Sequence, residues 1–209
     1  SVQYVHFPQF NGHVPGPDGV HDDGVADRVW TRMAGLADRQ LPDDAALLAN
    51  SSYTADHLAA RYGRAATVLH PPVDPIPGEP WAERERGVGT VGRIAPDNRT
   101  LDAIELVDRV RDRGHDLHLH VVGAAPRAYR RYAARVEAAA RERPYVTVER
   151  DVPRARLERL LGSHKYGLNL KHQEHFGMSV AEYVAAGMVA FAPASGGQRD
   201  VLDGREDRL

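Results

Sequence analysis

The chain contains no cysteine. Disulfides, thiolate metal sites and a cysteine nucleophile are excluded together, and the absence fits a cytoplasmic location. Lysine is nearly missing too: of 27 basic residues only Lys165 and Lys171 are lysine, and the rest are arginine. Those arginines are spread over stretches such as Arg127–Arg143, the distribution of solvated helix faces rather than of a binding patch. A formal net charge of −2 leaves no electrostatic footprint for nucleic acid. No apolar stretch approaches the ~20 residues that span a bilayer, and there is neither an internal repeat nor a low-complexity tract.

What is present is ordinary globular material, 42% hydrophobic and 27% charged over 209 residues, enough for a real core. Val2–Phe7 reads as a short strand, followed by a Gly/Pro/His/Asp-rich loop through Asp23. Val25, Val29, Met33 and Leu36 recur at helical spacing. Ala46–Leu48 predicts a buried strand, Ser51 or Ser52 caps a helix through Arg61 that Gly63 ends, and Ala66–Leu69 predicts a further strand. Five prolines then crowd residues 71–87, which mark a stiff linker. Beyond it strands are expected at 88–92, 117–122, 145–149, 166–170 and 188–192. Helices are expected at 100–113, 127–142, 153–161 and 178–186, with Gly114 as the C-cap of the first. Strand alternating with helix implies βαβ units, an α/β class with a Rossmann-like parallel sheet and flanking helices. Ligands of such sheets bind beyond the carboxyl ends of the strands, where Arg93, Glu174 and Gly196 all fall.

Chemistry is concentrated in the run Glu174-His175-Phe176-Gly177-Met178-Ser179-Val180-Ala181-Glu182, with Gly196-Gly197 following. Phe176-Gly177 lets backbone approach a ligand closely, because glycine has no side chain in the way. A helix opening at Met178 aims the amides around Gly177, Met178 and Ser179 at an anion. Glu174 lies before the first turn, and Glu182 lies within the helix where its carboxylate can accept two hydrogen bonds from a vicinal diol such as a ribose. Anion, sugar and ribose contacts within nine residues describe a sugar-nucleotide pocket.

This run resembles the E-x7-E motif of retaining glycosyltransferases of the two-domain GT-B architecture, the group 1 (family 4) class. Three other stretches are similar to the family in the same order: Ala49–Thr54 followed by His70–Asp74, Val91–Ile94, and Ser195–Gly197. Tyr4–Pro8 and Ser195–Gln198 lean toward the mannosyltransferase branch that extends lipid-linked oligosaccharides. The resemblance implies residues 1–70 as a remnant of the acceptor-side domain, 71–87 as the linker and 88–209 as the nucleotide-sugar-binding domain. It also implies a longer protein, since two complete domains of ~100–200 residues each do not fit.

For the site, the resemblance casts Arg93 and Glu174 in catalysis, the first gripping the donor diphosphate and the second facing the sugar. Phe176, Gly177, Met178, Ser179, Glu182, Gly196 and Gly197 would hold the donor, and Glu149–Val152 would border the base. The family's second cation, a lysine five residues after the arginine, is replaced by Asn98, with Arg99 beside it as a substitute. The expected donor is a nucleoside diphosphate sugar, GDP-mannose favoured, and the acceptor a glycan or lipid-linked glycan. No cofactor is expected beyond that donor. Peripheral membrane contact belongs to the full-length expectation. The alternative is a nucleotide-sugar-binding module without transfer activity; an epimerase of similar architecture would need a different acid–base set.

No metal is expected. Asp-x-Asp, the pair that would chelate a divalent ion against a diphosphate, does not occur. His172-Gln173-Glu174-His175 matches no zinc-protease spacing. His118 and His120, on one strand face, read as hydrogen-bonded imidazoles. Lys171 reads equally as a phosphate contact or as an exposed cation, and His6 equally as a cleft residue or a turn histidine.

Overall fold

A computed structural model describes residues 1–6 and 44–202. The expected loop through Asp23 and the helix carrying Val25–Leu36 lie outside the described residues. The chain divides into two units, Ser1–Pro71 and Pro72–Leu209.

Among its described residues the first unit is a three-stranded parallel sheet in the order β1 (Val2–Val5), β2 (Ala46–Ala49), β3 (Thr67–Val68). Helix α1 (Ser52–Tyr62) joins β2 to β3. It starts where expected, because the Ser51 hydroxyl accepts the Thr54 amide at 3.1 Å and satisfies a donor that a helix start leaves orphaned. It stops at Gly63, whose φ of +63° is the left-handed turn that glycine adopts without Cβ strain. Val5, Ala49 and Leu58 form its small core.

The second unit is a five-stranded parallel sheet in the order β6-β5-β4-β7-β8. Its strands are β4 (Glu85–Val91), β5 (His118–Gly123), β6 (Val146–Arg150), β7 (His164–Leu168) and β8 (Val189–Phe191). The helices between them are α2 (Thr100–Arg111), α3 (Arg130–Arg141), α4 (Arg154–Ser163), α5 (Met178–Ala185) and α6 (Gln198–Leu202). This is the anticipated α/β class, with both faces of the sheet covered. Alternation along each strand sends neighbouring side chains to opposite layers. Val88, Leu119, Val121 and Leu168 pack with Ile104 and Val107 of α2 and Val136 of α3 in one core. The other layer is built on Leu161, Val180, Tyr183, Met188 and Ala190. Each Val, Leu, Ile or Met among them, fully buried, contributes roughly 1.5–3 kcal/mol of transfer free energy.

Several boundaries differ from the sequence expectation. β4 opens at Glu85 rather than residue 88, and β7 at His164 rather than 166, because Glu85 and His164 are parallel register partners. α2 is capped at Asp112, and Gly114, with φ +90°, turns the chain two residues later. The helix expected from residue 127 begins as a 3-10 turn, Arg127–Tyr129, before α3. α6 and a 3-10 turn over Pro96–Asn98 have no counterpart in the sequence reading. The proline-rich stretch lies against the second unit. Ile76 is buried at 4% exposure in its core, and the Glu79 amide donates to the Gly162 carbonyl at 3.0 Å.

Candidate active site

The strand order makes β4, β7 and β8 neighbours, so three loops leave the same edge of the sheet side by side. They carry Arg93–Arg99, Asn169–Gly177 and Pro193–Gly197, which hold every expected site residue except Met178, Ser179 and Glu182, and these three lie on α5.

The second and third loops are interlocked through backbone. The Gly197 amide donates to the Glu174 carbonyl at 2.7 Å, and the Gln173 amide donates to Ser195 Oγ at 3.2 Å. A Cβ on Gly196 would sit 2.4 Å from the Glu174 carbonyl oxygen and 2.6 Å from its nitrogen, and the residue holds φ +72°. Glycine is required there twice over, for space and for conformation. A Cβ on Gly177 would meet Gln198 Cβ at 2.9 Å, so the start of α6 packs directly on the start of α5. Gln198 is wholly buried; its Nε2 donates to the carbonyls of Lys171 (3.2 Å) and Pro193 (2.9 Å). Two carbonyl acceptors fix the amide orientation, which leaves Gln198 Oε1 a buried acceptor with no partner among the described residues.

Charges alternate across the loops. Arg93 Nη2 lies 3.2 Å from Asp97 Oδ2; Lys171 Nζ lies 3.5 Å from the same oxygen and 3.2 Å from Glu174 Oε2. Glu174 Oε1 also accepts the His175 amide at 3.1 Å. Arg93 is 53% exposed while Lys171 is 19% exposed, so Lys171 belongs to the cluster and is not a free surface cation. The exposed Arg93–Asp97 pair contributes only about 0–1 kcal/mol, so an incoming anion can displace Asp97 from Arg93 at little cost.

Asn98 does not project into this cluster as a charged group would. Its Nδ2 donates back to the Arg93 carbonyl at 2.5 Å and closes the loop. Arg99 caps α2 with φ +54°, and its guanidinium is engaged by Asp102 (2.6 Å) and by His172 Nε2 (3.0 Å).

Gly177, in the left-handed region at φ +96°, precedes α5, whose first turn begins with Met178 and Ser179. Met178 is 45% exposed and Phe176 is buried. Glu182, on the fifth residue of α5, is 14% exposed and paired with Arg154, which also holds Glu158. Glu149 is bound through both carboxylate oxygens by Arg156 and lies beside His120, and that guanidinium holds its carboxyl below the usual carboxylate range.

Two positioning residues escaped sequence reasoning. Asn169, at the end of β7, accepts the Lys171 amide on Oδ1 (2.8 Å) and donates from Nδ2 to Ser179 Oγ (3.3 Å), tying the second loop to α5. The Tyr183 hydroxyl accepts the Val91 amide at 2.8 Å and donates to the Leu168 carbonyl at 3.4 Å. It thereby anchors the end of β4, just before Gly92-Arg93, to the helix that carries Glu182. A fully buried tyrosine one residue after a motif glutamate was the signal, but only the packing reveals its partners.

A doubly wound sheet with glycine-bearing loops, a helix start and alternating cations on one carboxyl edge is the arrangement in which α/β folds receive phosphate-bearing ligands. Residues 76–209 match the family model described as glycosyl transferases group 1. The chain belongs to that family. Among curated proteins it is similar to the GDP-Man:Man(3)GlcNAc(2)-PP-Dol alpha-1,2-mannosyltransferase of Eremothecium gossypii, 25% identical over 163 residues, covering 71% of this chain and 28% of that protein. Among solved structures it resembles Anabaena HepE, whose crystal structure contains UDP-glucose (TM-score 0.69, 17% identity, 95% of this chain and 54% of that one). It also resembles a glycosyltransferase from Rickettsia africae (TM-score 0.66, 12% identity, 93% and 67%). The chain thus spans about half of HepE and less than a third of the mannosyltransferase.

Proposed function

We propose that this chain is the donor-binding part of a retaining glycosyltransferase that moves a hexose from a nucleoside diphosphate sugar to a glycan or lipid-linked acceptor. The observation that carries the reading is the interlocking of the Glu174 and Gly196-Gly197 loops beside Arg93 and Lys171. In this reading the two cations and the helix start at Gly177 would face a leaving diphosphate, and the Gly196-Gly197 turn, its Gly197 amide already spent on Glu174, would hold the loop in place.

Transfer from such a donor passes through an oxocarbenium-like state while negative charge grows on the departing diphosphate. Preorganised positive charge and amides aimed at that group lower the barrier, because they strengthen as the charge develops. Arg93 and the amides around Gly177–Ser179 take that role. Lys171 supplies the second cation that Asn98 cannot, reaching in from the end of β7 rather than from the β4 loop. Glu174 faces the sugar, and Glu182 holds the ribose hydroxyls once Arg154 shares it. Chemistry of this kind requires no divalent ion in the donor site. GDP-mannose is the favoured donor, supported by the mannosyltransferase relative, and work at a cytoplasmic membrane surface fits a lipid-linked acceptor. No helix among the described residues is long and apolar enough to cross a membrane.

The test is calorimetry of this chain against GDP, UDP, GDP-mannose and UDP-glucose, with and without EDTA, and product analysis on the full-length protein. Binding to one nucleotide series, indifferent to EDTA and weakened about 5- to 150-fold (~1–3 kcal/mol) by Glu182→Ala, is expected. Absence of nucleotide binding overturns the donor site. Binding without transfer by the full-length protein leaves the module that binds but does not transfer.

A further inference from the structure

At the opposite edge of the second sheet, three imidazoles converge. His118 Nε2 lies 3.2 Å from His164 Nε2, and His120 Nδ1 lies 2.6 Å from the same nitrogen. One ligand-capable nitrogen from each ring falls within 4.8 Å of the other two. Glu85 Oε2 stands 3.0 Å from His118 Nε2. His118, His164 and Glu85 open β5, β7 and β4, so the cluster gathers the amino ends of three adjacent strands. Six residues of extended chain, about 20 Å, separate Glu85 from Val91 at the donor edge. The cluster lies apart from the three loops described above and meets the residues expected around the base only through Glu149, which faces His120.

The backbone is shaped to admit these rings. Gly87 lies in β4 between the histidine-bearing strands, on the face they share. A Cβ there would meet His164 Cδ2 at 2.2 Å and His118 Nε2 at 2.5 Å. Only glycine at that position leaves the volume the imidazoles fill. Burial, reinforced by the neighbouring imidazoles, disfavours the charged form of His164 and of His120.

Outer contacts orient the donors. His164 Nδ1 meets Ser163 Oγ at 3.0 Å, which turns Nε2 inward. His120 Nε2 faces Glu149 Oε1 at 4.0 Å, which leaves Nδ1 for the cluster. A hydrogen-bond or carboxylate partner on the outward nitrogen is how metal-binding imidazoles are held in register.

We propose that His118, His120 and His164 bind one divalent transition-metal ion of the zinc class, with Glu85 as the fourth ligand, and that the ion clamps the amino ends of β4, β5 and β7. Three imidazoles and one carboxylate suit a borderline-soft tetrahedral ion, not calcium or magnesium, which take oxygen shells. Ligand nitrogens on a shared tetrahedral ion with ~2.0–2.1 Å bonds stand about 3.4 Å apart; two spacings, 2.6 and 3.2 Å, fall below that value, and the three nitrogens fall within 4.8 Å of one another, so the rings must adjust around the ion. The rival account is a proton-sharing network, His120 to His164 to Ser163 and His118 to Glu85, with no ion.

The experiment strips the purified chain with EDTA, removes the chelator, and adds Zn²⁺, Co²⁺ or Mg²⁺. One Zn²⁺ retained per chain after dialysis, visible-range Co²⁺ bands of tetrahedral nitrogen coordination, and a melting temperature raised by Zn²⁺ but not Mg²⁺ are expected. His118→Gln alters a side chain one-third exposed and tolerable to the fold. It should weaken Zn²⁺ binding by more than the about 10- to 100-fold that loss of an outer-shell partner costs. Sub-stoichiometric zinc, the absence of tetrahedral Co²⁺ bands, or zinc affinity unchanged in both His118→Gln and His120→Gln would leave the proton-sharing network alone and overturn the site.

Discussion

Tyr183→Phe isolates one hydroxyl on which the geometry of the donor edge depends. The ring is fully buried, and a Cβ on Gly167 would lie 2.3 Å from its Cγ, so the phenylalanine ring inherits a tight slot and creates no cavity. What disappears is the acceptor for the Val91 amide at 2.8 Å and the donor to Leu168 at 3.4 Å. The register of β4 on β7 ends at Gly89 opposite Gly167, so beyond it the hydroxyl stands in for the missing strand partner. Burial pushes this hydroxyl's pKa up, so it remains a neutral donor throughout the working pH range. An orphaned, largely buried amide costs about 1–3 kcal/mol. The longer Leu168 contact adds little, which places the expected loss at about 1–2 kcal/mol, or roughly 4–8 °C in melting temperature for a unit of this size. Urea unfolding should show a lower midpoint at unchanged slope, and hydrogen exchange should show the Val91 amide opening faster. Wild-type stability together with undiminished Val91 protection would refute the reasoning, because another acceptor would then have been available all along.

Three further outcomes are expected. Gly196→Ala should lose ~1–2 kcal/mol to the left-handed backbone alone. It should also undock the Ser195–Gly197 turn from Glu174, so thermal unfolding and nucleotide calorimetry should both suffer; an unaltered melting temperature would contradict the observed packing. In the full-length enzyme, Lys171→Ala should lower kcat roughly 100-fold with a smaller change in donor affinity, as for a group that stabilises developing charge. Asn98→Lys in that background should restore part of the loss, and Lys171→Ala kinetics like the parent's would place the second cation elsewhere. In chelated protein, stability should fall as the pH drops. The folded-state pKa of His164 is depressed to about 3, so only the unfolded chain takes up its proton between about pH 6.5 and 3. The loss approaches ~1.4 kcal/mol per pH unit well below 6.5, measurable as urea midpoints at pH 7 and pH 5; equal midpoints would show that His164 is not held neutral.

The sequence by itself determined the fold class and the loops that meet at one carboxyl edge of the sheet, because both rest on local rules. Alternating apolar strands and helices dictate a parallel sheet, and glycine where φ is positive, as at Gly177 and Gly196, marks a turn without reference to distant residues. Glu174 and Glu182 stand out in one short run, and Gly196-Gly197 in a second, for the same reason. Only the tertiary structure decided matters that join residues far apart in the chain. Lys171 reads as ambiguous in sequence because its partner Asp97 is contributed by another strand's loop. Asn98 reads as a missing cation, yet its amide closes the loop that presents Arg93. His164, 44 residues beyond His120, gave no signal of joining it, since a strand's neighbours are set by sheet order and not by spacing along the chain. Periodicity tells which face a side chain takes; which other side chains share that face is settled only when β5, β4 and β7 pair.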